Sequence, residues 1–123
     1  MLDHVTIGVG DIERSKMFYD RALAPLGITR LYAEGEQAAG YGVRPKAFFW
    51  IGCKDVPQTG AHVAFAAADR DTVDRFYDEA IAAGGLDNGR PGPRPDYHQN
   101  YYGAFVLDPD GHNIEAVCHS AQG

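Results

Sequence analysis

Only two cysteines, Cys53 and Cys118, occur in the 123 residues. They are too few for a disulfide framework and do not have zinc-site spacing, so both are expected as small buried apolar side chains. No apolar run is long enough to span a bilayer, and the first residues lack the basic-then-apolar pattern of a signal segment. Basic residues are few as well: eleven Lys and Arg against seventeen Asp and Glu leave a net charge of −6. The eleven are scattered along the chain, which sets aside nucleic acid and an anionic membrane as partners. The cytoplasm is the expected location. What the chain does have is apolar material, 45% of its residues. That suffices for the core of one compact domain over residues 1–123.

The domain is written twice. HVTIGVGDIERSKMFYDRALAPLG from His4 aligns without a gap with HVAFAAADRDTVDRFYDEAIAAGG from His62, and nine of the 24 positions are identical. Unrelated segments of ordinary composition share about one or two, so a duplicated unit is the better explanation. Each copy starts with a short strand, His4 to Val9 or His62 to Ala67. An aspartate suited to cap a helix follows, Asp11 or Asp69. The spacing of Phe18, Tyr19, Ala22 and Leu23 marks one helix face; Val73, Phe76, Tyr77, Ala80 and Ile81 mark the other. Glycines at Gly27 and Gly84-Gly85 end the helices. Further strands are expected at Ile28 to Ala33, Gly40 to Val43 and Lys46 to Cys53. In the second half, Leu86 to Tyr97 holds three prolines and gives a short or frayed strand; Tyr101 to Leu107 and Asn113 to Cys118 follow. The order is βαβββ twice, module 1 over about 1–54 and module 2 over about 60–119. It predicts an α+β fold with a cupped, pseudo-two-fold sheet and the helices outside.

The last two strands are joined by Asp108-Pro109-Asp110-Gly111, which is turn chemistry. In the second of them Glu115 stands among apolar residues on a face shared with Asn113 and Val117. On the hairpin alone, that face meets water and the carboxylate is solvated, because glutamate is seldom buried. Otherwise the charge needs a partner or a metal. His4 and His62 open the equivalent strands of the two copies, where two-fold symmetry lets matching residues meet. Two neutral imidazoles and a carboxylate on strands make a three-ligand site with open positions. A strand-start histidine facing solvent is the plain alternative for each. The candidate metal ligands are therefore His4, His62 and Glu115, with Glu115 also a candidate catalytic group.

The segments DHVTIGVGD…FYDRALAPLG, GAHVAFAA and DPDGHNIEAV, in this order, resemble the vicinal oxygen chelate superfamily. That group includes glyoxalase I, bleomycin-resistance proteins, fosfomycin-resistance transferases and extradiol dioxygenases. The resemblance implies paired βαβββ modules around a divalent cation (zinc, nickel, manganese or iron(II)) held by His4, His62 and Glu115. It also implies a homodimer whose sites lie at a subunit or module interface, with His4 from one chain and His62 and Glu115 from the other. Glyoxalase I carries a fourth ligand, a carboxylate, in the last strand of its first module. Here no Asp or Glu occurs between Glu36 and Asp55, and aligning strand ends at Cys53 and Cys118 puts Trp50 opposite Glu115. That argues against methylglyoxal isomerisation, which needs a base beside the metal. Trp50 and Phe48 are instead candidates for an apolar substrate wall, or for plain core packing.

The loop from Arg90 to Tyr102 is the other concentration of polar groups. His98 is a candidate acid or base, Tyr101 and Tyr102 are candidate donors to a substrate oxygen, and Arg94 or Arg90 suits an anionic substituent. A solvated loop is the bland alternative. His112 and His119 are expected on the surface. Two functions follow. One is a metalloenzyme for a small substrate with vicinal oxygens: a lyase or isomerase, a ring-cleaving dioxygenase or a transferase. The other is a metal-free protein of the bleomycin-resistance type that sequesters an aromatic compound.

Overall fold

Asp11 and Asp69 start the two helices. In the computed structural model, which describes residues 1–55 and 58–120, the Asp11 carboxylate accepts from the Arg14 amide and that of Asp69 from the Thr72 amide. Each satisfies a backbone donor that the first turn leaves free. Helix α1 spans Ile12–Ala22 and α2 Arg70–Ala82. Pro25 cannot continue the first helix, and a 3-10 turn at Ala24–Leu26 finishes it at Gly27, with φ of 77°. The buried faces are Ile12, Ser15, Phe18, Tyr19 and Ala22 on α1, and Thr72, Val73, Phe76 and Ala80 on α2. Ile81, expected in that stripe, is exposed instead, one step beyond its edge.

The strands are β1 (Val5–Val9), β2 (Thr29–Glu34), β3 (Ala38–Val43), β4 (Lys46–Cys53), β5 (His62–Ala66), β6 (Leu86–Asp87), β7 (Gly92–Pro93), β8 (Tyr102–Leu107) and β9 (Asn113–Cys118). They form two sheets, ordered β1-β4-β3-β2 and β5-β9-β8-β6, with β7 also on β8. The proline-rich stretch gives only the two short strands β6 and β7, as expected of residues that cannot donate to a ladder. β1 runs parallel to β4, and β5 parallel to β9. Register confirms the duplication: Thr6 faces Trp50, and its repeat equivalent Ala64 faces Glu115. Trp50 therefore holds the structural place of Glu115 in the other module. β1 and β5 are terminal in their sheets, and each has one edge without a strand partner among the described residues.

The modules meet through the helices, through Phe49 edge-on to Phe65 at 5.2 Å between ring centres, and through the turn after β8. There Asp108 is 4% exposed and takes the Tyr19 hydroxyl at 2.5 Å. Asp110 accepts from the Gly10 amide at 2.9 Å. His112 was expected at the surface because it sits in a turn; it is 1% exposed. Its Nδ1 accepts from the Ala61 amide at 3.1 Å and its Nε2 donates to the Gly8 carbonyl at 2.8 Å. The neutral ring thus spans the two modules, satisfying backbone groups that burial would otherwise orphan. Cys118 is buried as expected, whereas Cys53, at the end of β4, is exposed.

Burial, and next the neighbouring Asp108 carboxylate, holds the Tyr19 phenol well above the ordinary tyrosine value near 10; burial and Asp20 do the same to Tyr41. Groups whose folded values are raised stabilise the fold fully below the unfolded value and lose that contribution as pH rises past it. Urea unfolding should therefore give constant stability approaching pH 10 and a decline above it, with a shallower decline in Tyr19→Phe.

Candidate functional site

β9 has both edges paired, between β5 and β8, and its residues on both faces of the sheet are buried. That is why the solvated alternative for Glu115 fails: the side chain is 2% exposed. Its charge is met by neighbours. His62 Nε2 donates to Glu115 Oε1 at 2.8 Å, and the Tyr101 hydroxyl donates to Oε2. Gly103 of β8 leaves room for that contact, since a Cβ there would fall 3.1 Å from the Tyr101 ring and 3.5 Å from Glu115 Oε2. Desolvation first, and the Glu115 contact next, push the Tyr101 phenol well up, so it keeps its proton and acts as a donor. An imidazole that is 52% exposed beside a buried carboxylate makes two of the donors that hard and borderline cations prefer.

His4 does not join them within one chain. It lies at the start of β1, 54% exposed, with Nδ1 bonded to the Asp3 carboxylate at 2.7 Å. Among the described residues no group of three His, Cys, Asp or Glu side chains is arranged to hold a metal ion. The expected meeting of both imidazoles at an intrachain module interface is thus absent. His4 lines a mostly apolar hollow of about 370 Å³ together with Val5, Phe48, Val63 and Phe65; the hollow runs between β1 and β5, and His62 is not among its walls.

The remaining candidates divide between the two modules. Phe48 and Trp50 alternate with the buried Phe49 and Ile51 and are themselves half-buried; Phe48 packs against the margin of the core. Trp50 stacks on Tyr32 at 5.9 Å with 10° between planes. In module 2, the Arg94 guanidinium lies 5.5 Å over the Phe105 ring and donates to the Arg90 carbonyl. Phe105 is the β8 partner of Glu115, which sets Arg94 on that side. Tyr102 turns away: its hydroxyl donates to Asp74 of α2 at 2.7 Å, and Arg70 covers its ring. His98 touches neither His62 nor Glu115; its ring meets His119, whose ring meets Tyr101. Tyr32 was not singled out from the sequence and had no pattern to reveal it; Asp108 was expected only as a turn residue capping its own backbone, and its bond to Tyr19 of the other module had no signal.

The family model described as Glyoxalase/Bleomycin resistance protein/Dioxygenase superfamily matches residues 1–116. No curated protein matches the chain. Among solved structures, a glyoxalase/bleomycin resistance protein from Albidiferax ferrireducens T118 is 34% identical, with a TM-score of 0.85 over 96% of this chain and 98% of that one. A glyoxalase-related enzyme from Fulvimarina pelagi is 20% identical, with a TM-score of 0.75 over 96% and 87%. A mutant of the fosfomycin resistance protein FosX from Listeria monocytogenes, complexed with Mn(II) and 1S,2S-dihydroxypropylphosphonic acid, is also 20% identical. Its TM-score is 0.70 over 100% and 90%. At 20% identity these last two establish likeness of fold.

Proposed function

Because the chain belongs to the Glyoxalase/Bleomycin resistance protein/Dioxygenase superfamily, we propose that it is a divalent-metal-dependent enzyme for a small substrate bearing two neighbouring oxygens. The observation that carries this is the buried Glu115 carboxylate against His62 Nε2, backed by Tyr101. A buried carboxylate with a half-exposed imidazole as its partner is costly as packing and well suited as a ligand pair. These donors fit two positions of a zinc, nickel, manganese or iron(II) site. The third is His4 of a second copy. Three features support a shared site: the free edges of β1 and β5, the apolar hollow between them, and the exposed His4 beside it. A FosX neighbour of the same fold holds Mn(II) with a dihydroxy acid, which fits the same class of ligand.

When bound, the cation would polarise the substrate oxygens as a Lewis acid. The chain's own groups do the rest. Tyr101 donates to Glu115 Oε2 and fixes that carboxylate, leaving Oε1 on the His62 side. Trp50 at the place of Glu115 in module 1 supplies no proton acceptor, which disfavours isomerisation needing a second carboxylate. Ring cleavage, group transfer and lyase chemistry remain. Purified wild-type protein should carry divalent metal by elemental analysis, and His62→Ala less than about a tenth as much, since an inner ligand is lost. Equal, negligible metal in both would leave the metal-free sequestering protein, which Trp50 and Tyr32 would then serve.

A further inference from the structure

Tyr101 holds the Glu115 carboxylate from just outside the sheet, one residue before β8. β8 and β9 pair Tyr102 with Cys118 and Gly103 with Val117. One step further out, Tyr101 and His119 stand opposite each other, on the face that carries Glu115. Glu115 lies two such pairs along that face, so the Tyr101 ring has to lean along the strand to reach it. Gly103 leaves the path clear, since a Cβ there would fall 3.1 Å from the ring. A ring laid along a strand and tethered by one hydroxyl would swing off it without flanking support. Two rings supply that support. Tyr97 meets the Tyr101 ring edge-on, at 5.1 Å between centres and 82° between planes, and His119 does so at 5.3 Å and 89°. His98 meets His119 in turn, at 5.7 Å and 83°, and its Nδ1 accepts from the Asn100 amide at 3.3 Å. The loop that carries Tyr97 and His98 is closed by bonds from the Arg94 amide to the Tyr101 carbonyl and from the Tyr101 amide to the His98 carbonyl. Tyr97 and His119 are both exposed, so filling the core does not account for this packing.

We infer that Tyr97 and His119 are positioning residues of the candidate site: they clamp the Tyr101 ring, which keeps its hydroxyl on Glu115 Oε2 and leaves Oε1 as the oxygen shared by His62 and a cation. The inference deepens the chelation proposed above and rests on it for the cation alone; the clamp stands on the ring geometry. One edge-on aromatic contact favours the docked ring by about two- to tenfold in its population. His119 acts through its ring and not through its nitrogens, so a phenyl group at that position should serve equally. That separates positioning from metal ligation and from proton transfer, neither of which phenylalanine can perform.

The first measurement uses the metal-free protein. The Tyr101 hydroxyl proton exchanges with water when the ring leaves Glu115, so its exchange rate, read by NMR, follows undocking. In His119→Ala the rate should rise about two- to tenfold, and Tyr97→Ala should shift it the same way. His119→Phe should return it to the wild-type value. The Tyr19 hydroxyl on the buried Asp108 is the internal reference and should exchange alike in all four proteins. Calorimetric titration with Mn(II) then reads the consequence for the site. Binding should be about two- to tenfold weaker in His119→Ala and as in wild type in His119→Phe, because an outer group that orients a ligand is lost in the first and kept in the second. Unchanged Tyr101 exchange in either alanine variant overturns the clamp, as does failure of His119→Phe to restore it. Faster exchange at Tyr19 as well would mean a general loosening and overturns it too. If Mn(II) binds the wild type but exchange is the same in every variant, chelation stands and the clamp falls. If exchange responds as expected and no protein takes Mn(II), the clamp stands and chelation falls.

Discussion

Glu115→Gln is expected to weaken divalent-cation binding at least about a hundredfold while leaving the fold close to wild type in stability. The two halves of this expectation have different causes. Binding fails because a neutral amide replaces the one anionic donor in the pair. Stability survives because the amide fills the same volume. Its oxygen can accept from His62, and the Tyr101 hydroxyl can turn to accept from the amide nitrogen. Removing a buried charge also removes its desolvation cost. Calorimetric titration with Mn(II) and urea unfolding of the same preparations separate the two effects. A variant that binds the cation like wild type would make the carboxylate a packing group only.

Asp108→Ala should cost about 3 to 4 kcal/mol of stability, the largest single loss expected outside the apolar core. Asp108 Oδ1 accepts from the amides of Asp110 and His112, each at 2.9 Å, and Oδ2 takes the Tyr19 hydroxyl. Alanine leaves three donors without a partner, two of them in residues that are themselves buried. The same carboxylate shapes the turn and holds it to α1, so both modules loosen together. Tyr19→Phe removes one donor and leaves the buried Asp108 Oδ2 without it, while both turn amides keep their acceptor, and it should cost about 2 kcal/mol. Urea unfolding of both variants against wild type gives the comparison. Equal losses would locate the effect in the Tyr19 contact alone and not in the turn.

The duplicated pattern made the fold legible. Helix caps at Asp11 and Asp69, the Lys46–Cys53 strand and the last hairpin follow from local chemistry, and each appears where it was expected. Glu115 was legible as a position but not as an environment. Alternation says which residues share a face, yet only strand order says that β9 lies between β5 and β8. His112 was misread for a related reason. A turn residue is usually solvated, but this turn docks on the other module, and the sequence of one strand pair does not reveal what lies against it. Tyr102 and Tyr101 are adjacent and chemically alike; the pleat alone sends one to Asp74 and the other to Glu115. His4 is the deepest limit. A sequence reports which residues repeat, but not whether the repeated side chains come together in space.

Mixing two inactive chains tests the shared site most directly. His4→Ala and Glu115→Gln chains are each expected to bind no divalent cation. Refolded together and paired at random, half of the dimers combine one of each, and each such dimer has one site built from unaltered residues. Cation binding should then return to about a quarter of the wild-type capacity, as two-fold symmetry requires. A mixture of Glu115→Gln with His62→Ala, both altered in module 2, should recover none. Cation bound by the His4→Ala chain alone, or no recovery in the first mixture from a wild type that does bind, would contradict a site shared between two copies.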